Sequence, residues 1–134
     1  MVPYDGRIMQ LVHEYGALVH VHCHGNVNGV FERMMDMGAD MLDPVEPPPD
    51  GDIEIGEAKR RARGRMVLMG NIEFRHLEFA TREGIDELVR RAICEQGKAG
   101  IMLYPSASPI TWMSDQVRDN CIQYIESGLE YGRM

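Results

Sequence analysis

Residues 17–26 read Ala-Leu-Val-His-Val-His-Cys-His-Gly-Asn. An apolar run enters, three histidines and a cysteine follow, and Gly25-Asn26 ends the stretch. The run reads as a short buried strand, Leu18–His22, whose end carries chemistry. Side chains alternate between the two faces of a strand. His20, His22 and His24 therefore share one face, and Val19, Val21 and Cys23 share the other. Imidazoles gathered where a strand turns toward a helix suit metal binding or proton handling. His20, deepest in the run, reads as a hydrogen-bonded core residue below the other two.

On either side of this strand the pattern is helical. Ile8, Leu11, Val12 and Tyr15 form a stripe that Gly16 stops. Val30, Phe31, Met34 and Met35 form a second, ended by Gly38, with Asn26 or Asn28 as its N-cap. Ala39–Val45 is a second strand and runs into Glu46-Pro47-Pro48-Pro49-Asp50-Gly51-Asp52. Proline cannot donate to a strand ladder, so this is a stiff loop that fixes Glu46 in place. Asp52 is a candidate cap for a helix over Ile53–Arg63. Its Lys59–Arg63 run looks like a phosphate or RNA patch, but such a run is more often a solvated outer face at a helix end, where cations suit the dipole.

Arg65–Met69 is a third strand, closed by Gly70-Asn71. Thr81 caps the clearest amphipathic helix, with Ile85, Leu88, Val89, Ala92 and Ile93 on its apolar face and Gly97 at its end. Ile101–Tyr104 is a fourth strand. Ser114 caps a last helix with Val117, Cys121, Tyr124, Ile125 and Leu129 on one side. Arg75 and His76 fall in a stretch read as exposed loop.

The order is a helix followed by four β-α units. Such alternation implies a parallel sheet with helical crossovers. Four units make either a small doubly wound sheet or half of an eight-stranded barrel. Each strand ends in polar or unusual residues: His22-Cys23-His24-Gly25-Asn26, Asp43-Pro44-Val45-Glu46, Gly70-Asn71 and Tyr104-Pro105-Ser106. Strand C-termini are where parallel β/α folds keep their active sites. This favours the barrel. No Gly-x-Gly-x-x-Gly or P-loop follows any strand, so a nucleotide site lacks its usual signature.

A chain of 134 residues is expected to be one domain, residues 1–134, with 44% hydrophobic and 26% charged residues. The net charge of −7 argues against nucleic acid or an anionic membrane surface as partner. No run approaches the ~20 apolar residues of a membrane span. The first residues lack the features of a signal peptide. Three widely spaced cysteines, Cys23, Cys94 and Cys121, imply no disulfide framework and fit the cytoplasm. Cys94 and Cys121 read as small buried hydrophobes, and the eleven methionines as core filling.

Several features together give a family resemblance. They are His22-Cys23-His24-Gly25 after a strand, Met37-Gly38-Ala39-Asp40 entering the next, and Gly70-Asn71 ending the third. The Pro-Val-Glu-Pro-Pro-Pro loop and the last helix, from Asp119-Asn120 to Glu130-Tyr131-Gly132, complete the set. In their order and spacing, over nearly the whole chain, these resemble the uroporphyrinogen decarboxylase superfamily. That group holds the decarboxylase of haem synthesis and the zinc methyltransferases that act on corrinoid or thiol acceptors. The layout is also similar to the C-terminal barrel of cobalamin-independent methionine synthase.

The resemblance implies the C-terminal half of a (β/α)8 TIM barrel, strands five to eight with the helix before them. It implies a missing N-terminal half-barrel, or self-association, to close the ring. It also implies a small-molecule substrate. In the methyltransferases, zinc is held by a His-x-Cys pair at the fifth strand and a Cys at the eighth, with a Glu at the sixth in methionine synthase. His22 matches the His position, His24 the Cys position and Glu46 the Glu. The implied metal set is His22, His24 and Glu46, with Zn²⁺ as cofactor and a corrinoid as methyl donor or acceptor. Imidazole can replace thiolate as a zinc ligand. The eighth-strand Cys has no counterpart, since Pro105-Ser106-Ala107-Ser108 stands there.

The implied reaction is metal-assisted methyl transfer or demethylation. An alternative is decarboxylation of the haem-synthesis type, a lyase reaction without metal or cofactor. Its Arg and Asp contacts come from the absent half, and its eighth-strand His corresponds to Ser106. A third is an inactive half-barrel or assembly module. In either enzyme, Asn26, Asn71, Tyr104 and Ser106 would bind substrate, and Glu46, Asn71, Tyr104 and Ser106 would be the catalytic candidates. The plainer readings make Glu46 a solvated loop carboxylate and Asn71 a turn residue after Gly70.

Overall fold

The structure is a computed structural model. It describes residues 2–97, 99–107 and 112–133. The chain enters through helix α1 (Val2–Glu14) and strand β1 (His20–His22), then a 3₁₀ turn (Asn28–Val30) and α2 (Phe31–Met37). Strand β2 (Met41–Asp43), α3 (Ile55–Ala62) and β3 (Val67–Ile72) follow. Two helices, α4 (Phe74–Phe79) and α5 (Arg82–Gln96), lead to β4 (Ile101–Pro105) and α6 (Asp115–Arg133). The four strands form one sheet in the order β1-β2-β3-β4. All three pairings are parallel, as the β-α alternation requires.

The two faces of the sheet differ. Leu42 and Leu68 are fully buried under the helices. They join Phe31, Met34 and Ile55 in the larger core cluster. A second cluster sets Leu77, Ile85 and Val89 against Leu103, Cys121 and Tyr124. The opposite face carries His20 and His22, then Met102 and Tyr104 toward β4, and all four are exposed. In this layer His20 is therefore no core residue: its side chain is 41% exposed.

Local signals held at two caps. Thr81 Oγ accepts from the Gly84 N–H at 3.1 Å, and Ser114 Oγ from the Val117 N–H at 3.2 Å. Two others differ from expectation. The N-caps of α2 and α3 are Val30 and Glu54, neither with a side-chain cap. Asn28 and Asp52 bond to each other instead, Asn28 N–H to Asp52 Oδ1 at 2.9 Å. This joins the β1 loop to the β2 loop.

Strand β3 runs on to Ile72, because Gly70 and Asn71 pair with Leu103 and Tyr104 of β4. Arg75 and His76 lie in α4, not in a loop. This short helix depends on a distant residue. Asn120 of α6 is buried and donates to the carbonyls of Leu77 and Ala80 at its end. Cys94 is exposed, not buried. In the Lys59–Arg63 run, Arg61 pairs with Glu32 at 2.6 Å and bonds to Asn28, while Arg60 stays exposed beside Glu57. Among the described residues, no helix is long and apolar enough to cross a membrane.

Stability should rest on the helix-covered face. Phe31 is 0% exposed and Tyr4 70%. Phe31→Ala is expected to lower the unfolding free energy by about 3–5 kcal/mol. Tyr4→Ala should change it by less than about 0.5 kcal/mol. Urea unfolding followed by circular dichroism measures both.

Candidate active site

The site forms where β1 and β2 end side by side. Parallel register places His22 beside Asp43. The His22 imidazole Nδ1 lies 2.8 Å from Asp43 Oδ2, and His20 Nε2 lies 3.5 Å from the same oxygen. Two residues after His22 and three after Asp43, His24 Nδ1 lies 3.0 Å from Glu46 Oε1. The other Glu46 oxygen accepts the Gly25 N–H at 2.8 Å. An ionised carboxylate only accepts, so Nδ1 is the donor in the His22 and His24 bonds, and Nε2 of these two rings takes no part in them.

Asp43 is 2% exposed and Glu46 5%. The His22 and His24 side chains are 60% and 50% exposed. Buried acceptors thus hold accessible rings. The rings meet edge to face with centroids 4.7 Å apart. Cys23 packs against the core on the far side, as alternation requires. Asn26 is exposed in the turn.

Glu46 is no solvated loop carboxylate. The proline loop folds back on it: the Gly51 N–H reaches Pro47 O at 3.0 Å and the Ile53 N–H reaches Glu46 O at 3.5 Å. A Cβ on Gly51 would stand 2.2 Å from the Glu46 carbonyl oxygen. Only glycine lets the loop close this tightly. Gly70 is similar, with φ +137° and a would-be Cβ 2.9 Å from Val45 O. It lets β3 pass close beneath the loop.

The implied set of His22, His24 and Glu46 does not meet as three donors. Glu46 spends its oxygens on His24 and Gly25. Among the described residues, no group of three or more His, Cys, Asp or Glu side chains could hold a metal ion. Asp43 Oδ1 is buried without a hydrogen-bond partner among the described residues.

The remaining candidates lie apart. Ser106 is buried on the rim between β3 and α4. It donates to Glu73 Oε2 at 2.8 Å and accepts the Phe74 N–H at 3.2 Å. Tyr104 is 39% exposed on the open face. Asn71 borders a cavity of about 210 Å³ with Pro47, Pro48, Glu54, His76 and Arg91. Ser106 and Tyr104 do not line that cavity.

Two residues outside the predicted set matter. Asp43 shares the fixing of His22 and His20, and its signal was the parallel register of β1 and β2. Glu73 is buried beside Ser106, and burial raises its pKa. The Ser106 hydrogen bond opposes the shift, and the nearby Glu46 carboxylate adds to it. Burial likewise lowers the pKa of His76, with Arg75 adding.

A parallel β/α layer with titratable groups at its strand C-termini is the architecture of barrel enzymes that work at that end. The family described as uroporphyrinogen decarboxylase (URO-D) matches residues 1–107. The chain belongs to this family. No curated protein matches it. Among solved structures it is similar to a methyltransferase from Methanosarcina mazei, at TM-score 0.69 and 20% identity. The match covers 96% of this chain and 35% of that one. The chain thus spans about a third of the length of that protein, whose fold it shares.

Two outcomes test this geometry. Gly51→Ala must push the Glu46 backbone aside, so the His24 ring should lose its fixed partner and its NMR signals should shift, while those of His13, at the far end of the sheet, stay. For Glu73, the raised pKa means that the native state keeps its proton longer than the unfolded state. Stability therefore falls as pH rises through that window. Glu73→Gln, which still accepts from Ser106, should flatten the decline in urea midpoint as pH rises above the ordinary carboxylate value of 4.5.

Proposed function

We propose that this chain carries part of the active site of a metal-assisted methyl-transfer or demethylation enzyme acting on a small substrate. In it His22 and His24 are metal ligands through Nε2. One observation carries the reading: two adjacent imidazoles are each held at Nδ1 by a buried carboxylate, Asp43 and Glu46. Metal-binding histidines are commonly oriented this way, by a carboxylate on the ring nitrogen that does not bind.

The donor chemistry fits a borderline ion such as zinc. Zinc, when bound, lowers the pKa of a substrate thiol or hydroxyl so that it can accept a methyl group. A corrinoid is a suitable methyl donor or acceptor for that chemistry. The chain's own residues do the positioning. Asp43 and Glu46 fix the tautomer and aim of both rings and raise their basicity. Glu46 also pins the turn through the Gly25 N–H. On this reading Glu46 orients His24 and is not itself a ligand. Two protein donors leave room for substrate and for a donor from outside the described residues.

Zinc affinity of the purified chain, measured by chelator competition, tests this. His22→Ala and His24→Ala should abolish stoichiometric binding. Asp43→Asn and Glu46→Gln should weaken it about 10–100-fold without abolishing it. Circular dichroism checks that each variant is folded. Unchanged affinity in His22→Ala would overturn the reading. Complete loss in Glu46→Gln, matching the histidine variants, would return Glu46 to the ligand set.

A further inference from the structure

The cavity of about 210 Å³ beside Asn71 plays no part in the metal reading. Its walls come from the proline loop, the end of β3 and helices α4 and α5. Helix α5 gives it an apolar side through Leu88 and Ala92. Glu54, Asn71, His76 and Arg91 give it polar groups. Small-molecule sites commonly join an apolar wall to a few polar groups in this way. Sites for drug-sized ligands run from about 300 to about 1,000 Å³. This smaller cavity suits a smaller molecule.

The charges decide which kind of molecule. Glu54 stands just before α3, and its side chain does not cap that helix. Arg91 lies on α5, which packs against α3. A guanidinium carries five N–H donors, so Arg91 can hold a carboxylate beside its other partners. Burial, with Arg75 adding, lowers the pKa of His76, so this imidazole is neutral at neutral pH. Its Nδ1 is buried without a hydrogen-bond partner among the described residues. The lining thus carries one positive and one negative group. A simple anion would meet Glu54 and a simple cation would meet Arg91, and like charges brought together are costly. A molecule that bears both charges satisfies both side chains.

We infer that this cavity binds a small zwitterion, an α-amino acid with a short apolar side chain. Its carboxylate meets Arg91, its ammonium meets Glu54, and its side chain lies against Leu88 and Ala92. The Asn71 amide and the His76 ring supply further hydrogen bonds. The inference stands independently of the metal reading, because it uses neither His22 nor His24.

Titration of the 134-residue chain with L-valine, followed by calorimetry and by the NMR signals of the histidine rings, tests it. Binding should saturate at one equivalent, and the His76 ring signals should move to a single endpoint. Two analogues each lack one charge: 3-methylbutanoate has no ammonium and isobutylamine no carboxylate. Each should bind at least about tenfold more weakly, the effect of one lost charged hydrogen bond. Glu54→Gln and Arg91→Gln should weaken valine binding by a similar factor, with circular dichroism showing that both variants are folded. The analogues probe the unaltered chain, so the test does not hang on the variants. Valine that leaves the His76 signals in place at saturating concentration would overturn the inference. So would 3-methylbutanoate or isobutylamine binding as tightly as valine, or a folded Glu54→Gln chain with unchanged affinity.

Discussion

Everything at the site depends on the parallel register of β1 and β2. That register sets His22 beside Asp43. It then lets the two residues after His22 and the three after Asp43 bring His24 to Glu46. A slip of one residue would turn Asp43 to the helix side and Leu42 to the open face. Burial on the helix side prevents this, because Leu42 and Leu68 have no exposed surface to lose. The hydrophobic effect thus fixes the register, and the register fixes the chemistry.

The two carboxylates are more than neighbours of the rings. Nearly complete burial keeps water from competing for their oxygens, so each hydrogen bond restrains its ring more firmly than a surface pair would. The stiff loop supplies one of them. Glycine at position 51 closes that loop against the Glu46 backbone, and Asp52 ties it to Asn28. The site is therefore held from two strands and from the crossing of their loops.

Much of the fold was legible in the residues. Alternation of strand and helix signals gave a parallel sheet, and Thr81 and Ser114 behave as their residue types predict. Helix α4 was not legible, since its end is satisfied from α6 by Asn120, a long-range contact with no local signature. Position 20 shows a related limit. Alternation correctly grouped His20 with His22, but which face is covered depends on what packs there. The role of Glu46 was visible only in part: spacing placed it near the histidines, but its two oxygens go to the His24 ring and the Gly25 backbone. Asn71 and Ser106 sit at strand ends as expected, yet side-chain direction at a strand end depends on the loop beyond it, and the two face different surroundings.

The claim that most needs testing is that the Nε2 atoms of His22 and His24 are the metal-binding atoms. Long-range ¹⁵N–¹H NMR of the histidine rings, recorded during a zinc titration, addresses it directly. The account predicts that the Nε2 signals of His22 and His24 move together to an endpoint at one equivalent, while both Nδ1 atoms keep their protons. Zinc at Nδ1 of either ring, or no shift in the pair at saturating zinc, would contradict it.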